Sequence, residues 1–175
     1  MSSHLMYTFL SEGSVKEHLS FLRTQRARLS IIEKSIPDLK GKSYSEIVKL
    51  PLKRALREDV IALLSVIKAH EIYFSSFTDK IRPSETLRRY YYSEDNFLYR
   101  MKREAMELSS GLAYVYKDGG GVPRIRVTRE PDERLLREEP ELLVDLYEHA
   151  YFTDYGFDKS RYLAAALSHL DLSRL

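Results

Sequence analysis

The sequence predicts an α+β fold, with an N-terminal antiparallel hairpin of long helices and a C-terminal lobe in which helices flank a three-stranded antiparallel sheet. Two observations predict it. Apolar residues recur at helical spacing in two long runs, residues 14–36 and about 52–77, on either side of a short connector punctuated by prolines. Beyond Gly111 the period shortens to that of strands, with Lys117-Asp118-Gly119-Gly120-Gly121 as a hairpin signal between two of them.

The first helix is read from Val15, Leu19, Leu22, Leu29 and Ile32 or Ile36, and Pro37 closes it. Leu39-Lys40-Gly41-Lys42 is a connector, and Ser43 with Glu46 has the spacing of a capping box for a short helix ended by Pro51. The second long helix buries Leu56, Val60, Leu63, Leu64, Ile67, Phe74 and Phe77. Packed antiparallel, the two bring His18, near the start of one, to the same end as His70, near the end of the other. Arg82-Pro83-Ser84 marks an expected boundary between a domain of residues 1–81 and one of residues 82–175. Helices follow over 84–92 and 93–109, with Gly111 read as a left-handed cap. Strands are expected over 112–116, 122–127 and 142–145, and a last helix over 159–170. The charged stretch 130–141, with Pro131 and Pro140, reads as loop.

Composition narrows the chemistry. A chain of 175 residues, 43% hydrophobic, suffices for one substantial core or two small lobes sharing an interface. The absence of cysteine excludes disulfides, zinc ribbons, iron–sulfur clusters and thiol nucleophiles, so a tightly held metal must use His, Asp or Glu. A net charge of +2 gives no field pointing to nucleic acid, and Arg124, Arg126 and Arg129 read as a solvated face. The segment Met1–Ser14 lacks a basic stretch followed by a long apolar one, and the nearly apolar run 60–67 is too short to cross a bilayer. A cytoplasmic protein with no membrane or nucleic-acid partner is the expectation. His4 and His169 have no partners at useful spacing and read as surface residues.

The stretch Asp145-Leu146-Tyr147-Glu148-His149-Ala150-Tyr151-Phe152 sets a carboxylate and an imidazole four residues apart, directly after Leu142-Leu143-Val144. A strand ending on Asp145 and turning into a helix at His149 would aim both into one pocket, an arrangement suited to iron or manganese with mixed nitrogen and oxygen ligands. The same spacing also serves a salt bridge or a surface pair. His18, on the flank of its apolar stripe, fits a packed histidine as well as a ligand.

These pieces together resemble the iron/manganese superoxide dismutase family. Residues 145–152, continuing through Asp154-Tyr155 and Arg161-Tyr162-Leu163, are similar to that family's Asp-x-Trp-Glu-His-Ala-Tyr-Tyr signature and the helix after it. Ala69-His70-Glu71-Ile72-Tyr73-Phe74 resembles its second ligand motif, Leu39–Ser43 its interhelical connector, and residues 93–116 its helix and first strand. The resemblance runs from Ser11 onward. It implies four metal ligands, His18, His70, Asp145 and His149, at a site between the two domains, and one iron or manganese ion per subunit. It implies superoxide as substrate, dioxygen and hydrogen peroxide as products, and a homodimer in which Glu148 pairs with His149 of the partner subunit.

The departures lie around those ligands. The family's glutamine beside the metal-bound solvent falls at Val66 in the iron-type position, and near residues 129–132, where no Gln occurs, in the manganese-type position. The active-site tyrosine aligns with Arg26, its neighbouring histidine with Leu22, and the tyrosine reaching across the dimer with Phe152; Tyr147 stands where the signature has Trp. Replacing both members of a polar pair by apolar groups strands neither, which reads as a repacked site. Arg26 is then a candidate for attracting superoxide at the entrance, or a solvated surface residue. A glycine-rich loop after the second helix is missing, since Phe77 reaches Ser84 in a few residues. Three readings follow: a dismutase, a non-catalytic metal-binding structural or interaction protein on the same fold, or different oxygen chemistry at the same ion.

Overall fold

Ser11 opens the first helix by accepting a hydrogen bond from the Ser14 amide, leaving its own backbone extended as an N-cap requires. The protein is described by a computed structural model over residues 8–80 and 83–175. His4, and Arg82 at the expected domain boundary, lie outside the described residues.

Helix α1 spans Glu12–Ser35 and buries Val15, His18, Leu22 and Gln25 along one stripe. A 3-10 turn at Pro37–Leu39 leads to α2, Tyr44–Ile47, whose capping box is complete: Ser43 Oγ accepts from the Glu46 amide, and the Glu46 carboxylate accepts from the Ser43 amide at 2.7 Å. Helix α3, Arg54–Ser75, returns along α1. Leu22 packs with Leu63 and Ile67, while Leu39 and Ile47 pack with Val60 and Ile61. Early α1 therefore meets late α3, so the pair is antiparallel, and His18 reaches His70 with ring centroids 4.8 Å apart.

Helices α4, Glu85–Tyr91, and α5, Glu94–Met106, are each opened by a serine cap, Ser84 and Ser93. Strands β1, Leu112–Lys117, β2, Pro123–Thr128, and β3, Leu142–Asp145, form a sheet of order β2-β1-β3 with every pairing antiparallel. Central β1 sets Leu112 opposite Thr128 on one side and Asp145 on the other. In the hairpin turn the Asp118 carboxylate accepts from the Gly120 and Val122 amides and pairs with Arg124. A 3-10 turn at Glu148–Ala150, α7 at Phe152–Tyr155 and α8 at Lys159–Ser168 complete the order. One apolar cluster joins Val15, Ile72 and Tyr73 of the helical hairpin to Phe97, Met101, Tyr114, Leu143 and Tyr162 of the following lobe. No described helix is long and apolar enough to cross a membrane.

The structure corrects two sequence expectations. The charged stretch 130–141 is not all loop: α6 spans Glu133–Glu138, capped by Asp132, with Leu135 and Leu136 fully buried. Each buried leucine contributes about 1.5–3 kcal/mol, and the Ser65 hydroxyl, donating to the Asp132 carbonyl at 2.9 Å, holds the helix start to α3. Pro131 precedes the cap, where it does not interrupt a helix. Gly111 is not a left-handed helix cap. Its φ is +143°, and a Cβ there would meet the Thr128 carbonyl oxygen at 2.1 Å, so glycine admits the end of β2 against the start of β1.

Candidate metal centre

The hairpin and the sheet position four side chains from three separate parts of the chain. His18 is on the buried stripe of α1, His70 on that of α3, Asp145 ends β3 and His149 lies in the 3-10 turn after it. One potential ligand atom from each lies within 4.8 Å of every other. Asp145 Oδ2 is the hub, 3.3 Å from Nε2 of both His18 and His149. His18 packs edge-on to both other imidazoles, whose own planes are nearly parallel at 6°.

Outer contacts fix these orientations. His70 Nδ1 donates to the Val66 carbonyl one turn back at 2.8 Å, which leaves Nε2 unprotonated and aimed at the cluster. Asp145 Oδ1 accepts from the Tyr147 amide at 2.8 Å, and the Asp145 carbonyl accepts from the buried Tyr162 hydroxyl at 2.9 Å. Ser76 Oγ donates to Ile72 O and accepts from the Leu143 amide at 2.8 Å, tying the end of α3 to β3. Tyr73 and Phe74 wall His18 at ring distances of 4.9 and 5.4 Å.

Burial pushes the Asp145 carboxyl up, but the bonds and charges of His149 and His18 outweigh it and hold the group below the usual carboxylate range. Burial, then the adjacent His18, push His70 down to about 4. Burial also lowers His149, yet its bond to Asp145 prevails and raises it. A neutral His70 above an ionised aspartate is the protonation pattern of a ligand set.

The donors fit a metal ion on a further ground. His70 Nε2 is buried with no hydrogen-bond partner, a state that costs about 1–3 kcal/mol for a polar group left so, and buried His18 Nε2 has only the Asp145 carboxylate at 3.3 Å, outside good hydrogen-bond geometry. Ligands bound to one ion at about 2.1 Å lie up to about 4.2 Å apart, so a closure of tenths of an ångström would satisfy both nitrogens at once. Three imidazoles and one carboxylate suit hard to borderline metals.

Residues 79–175, more than half of the chain, match the model of the iron/manganese superoxide dismutases, C-terminal domain. The chain belongs to the iron/manganese superoxide dismutase family. It is also similar to a superoxide dismutase [Fe] of Cupriavidus metallidurans, 28% identical over 131 residues that cover 67% of this chain and 63% of that relative. The family match covers Asp145 and His149, and α1 and α3 bring His18 and His70 to them.

The remaining residues that the superoxide dismutase resemblance singles out are placed as follows. Leu22 is buried against Leu63 and Ile67. Phe152 is 45% exposed and packs edge-on to Phe157 at 5.0 Å. Tyr147 stacks on His149 at 5.7 Å, and its hydroxyl donates to the Arg129 carbonyl at 2.6 Å, away from the cluster. Glu148 is exposed, and its carboxylate has no partner among the described residues. Arg26 pairs with Glu71 at 2.7 Å, which also accepts from the Tyr44 hydroxyl, and lines neither cavity beside the centre. Gln25 accepts from Arg28 at 3.0 Å in a groove on the far side of Val66.

Phe21 is the residue that sequence reasoning missed. Its ring lies 5.0 Å from that of His70 and 5.8 Å from that of His149, and it walls both cavities that flank the cluster. The available signal was its place three residues after His18, nearly one helical turn on.

Proposed function

We propose that this chain is an iron- or manganese-dependent superoxide dismutase, with His18, His70, Asp145 and His149 as ligands of one ion per subunit. The observation that carries the reading is a pair of buried imidazole nitrogens, His70 Nε2 with no partner and His18 Nε2 with only the buried Asp145 carboxylate, gathered with His149 in one small space. When bound, the ion would supply the one-electron couple by which one superoxide is oxidised to dioxygen and another, with two protons, is reduced to hydrogen peroxide. Asp145 offsets the ion's charge only in part, so the centre stays cationic and attracts an anionic substrate. His70 is held as a neutral donor by the Val66 carbonyl, Phe21 packs against its ring, and Tyr147 stacks on one face of the His149 ring.

Proton supply differs from the relay that the resemblance implies. Val66 and Pro131 occupy the two regions where a glutamine is expected, and the Tyr147 hydroxyl is committed to a backbone carbonyl. Protons therefore come from water, through the cleft of about 390 Å³ beside His18 and His149, whose rim carries Glu17 and Glu148. The free Glu148 carboxylate supports a homodimer in which it pairs with His149 of the partner subunit. A cytoplasmic enzyme acting without nucleic acid or membrane completes the reading.

The test is elemental analysis of purified protein together with superoxide consumption by wild type and His70→Ala. Iron or manganese near one ion per chain, with activity lost in the variant, is expected. The apolar surround favours a second reading, a metal-stabilised structural or interaction module. Metal-loaded protein with no activity above that of free metal would select it.

A further inference from the structure

His149 is the exposed member of the four donors, while His18, His70 and Asp145 are buried. Its one polar partner among the described residues is Asp145 Oδ2, reached through Nε2. Once Nε2 serves as a ligand that bond is gone. His70 then keeps its Nδ1 bond to the Val66 carbonyl, the usual way a ligating imidazole is oriented, but His149 Nδ1 has no partner among the described residues.

Aromatic rings stand where that bond is missing. His149 stacks on Tyr147 at 5.7 Å and 16°, and the Phe21 ring lies 5.8 Å away at 34°. Both neighbours are anchored. Tyr147 is bonded at its amide to Asp145 and at its hydroxyl to the Arg129 carbonyl. Phe21 packs 5.0 Å from the ring of His70, and the His70 and His149 planes are parallel within 6°. His70, Asp145 and His149 thus form the floor of the second cleft, with Phe21, Val66 and Tyr147 in its walls.

We propose that Phe21 is the positioning residue of His149, passing the fixed orientation of His70 on to the exposed ring and, with Tyr147, holding it ready as a ligand. The homodimer proposed above adds Glu148 of the partner subunit at this ring; Phe21 and Tyr147 are what the chain itself supplies. The consequence for metal binding rests on the reading of the four donors as ligands, whereas the restraint on the ring does not.

The full chain is studied after chelation by NMR and then titrated with manganese(II) by calorimetry. The metal-free wild type is expected to show one set of His149 ring signals with cross-relaxation to Phe21 and Tyr147. Phe21→Ala is expected to average these signals and lose the contact to Tyr147, with an unchanged circular dichroism spectrum, since Phe21 is 40% exposed. Loss of one aromatic pair and of one ordered side chain is expected to weaken manganese(II) about three- to tenfold. Phe21→Tyr, which keeps the ring, restores both the signals and the affinity. Phe157→Ala, which lies in the other cleft and packs on Phe152, leaves both within twofold. His149 signals or affinity unaltered in Phe21→Ala overturn the proposal, as does failure of Phe21→Tyr to restore them. A manganese-loaded chain that follows this pattern but consumes no superoxide ends the dismutase reading alone; a chain that takes up no manganese(II) ends both.

Discussion

The floor of the centre and its walls are built by opposite rules. On the floor the groups are polar and buried or stacked, and two of them are oriented by bonds from behind: Val66 O behind His70, the Tyr147 amide and Tyr162 hydroxyl behind Asp145. On the walls the side chains are aliphatic or aromatic, and the one hydroxyl is turned away. The contrast teaches that gathering a set of donor groups and handling protons are separable tasks, since the four donors converge here where the residues expected for proton relay are absent.

The floor is most sensitive at its hub. Asp145→Asn removes the charge that organises the imidazoles, and metal affinity is expected to fall by more than the roughly 10–100-fold that loss of an outer partner costs. Competition against a coloured chelator measures it, with circular dichroism reporting whether the chain still folds. His149→Ala comes next: affinity at least tenfold lower with little change in thermal midpoint, because that side chain is 45% exposed and supports little packing.

A pH series sharpens the same side. Protons compete with the ion for His149, which Asp145 raises above the ordinary histidine value, while His70, pushed down to about 4, does not compete near neutrality. Affinity is therefore expected to rise with pH through neutrality and level off above the raised His149 value. An affinity flat from pH 6 to 8 would remove His149 from the ligand set.

On the walls the effects are smaller and move activity without moving the ion. Val66→Gln returns an amide to the cleft, and turnover is expected to change severalfold with metal content constant, measured side by side by stopped flow and elemental analysis. The smallest effect belongs to Arg26→Ala. Its guanidinium is more than half exposed and held by Glu71, so loss of this pair is worth at most about 1 kcal/mol, and superoxide consumption is expected to fall less than threefold, an effect that added salt erases.

The floor was legible in sequence because its residues sit in motifs of fixed spacing, and because antiparallel packing of two apolar stripes brings His18 to His70 on geometry alone. The α+β class and the strand order of appearance followed from the change of period after Gly111. Helix α6 was not legible, since Leu135 and Leu136 are adjacent and a run of one and a half turns cannot display a helical period. Phe21 escaped for a related reason: its ring is 40% exposed, off the main stripe of α1, and its partners come from α3 and the turn after β3. Gly111 was read as a local cap, whereas its need arises from Thr128, a neighbour only once the sheet has formed.

The serine hydroxyl that joins the last turn of α3 to the amide of Leu143 has a practical consequence. It couples the two halves of the centre through one proton, because His70 lies less than two turns before Ser76 and Asp145 two residues after Leu143. Breathing that draws the end of α3, and His70 with it, away from β3 releases that amide to solvent. Deuterium uptake at Leu143 is thus a built-in gauge of how often α3 and β3 part, readable without metal, substrate or an activity assay.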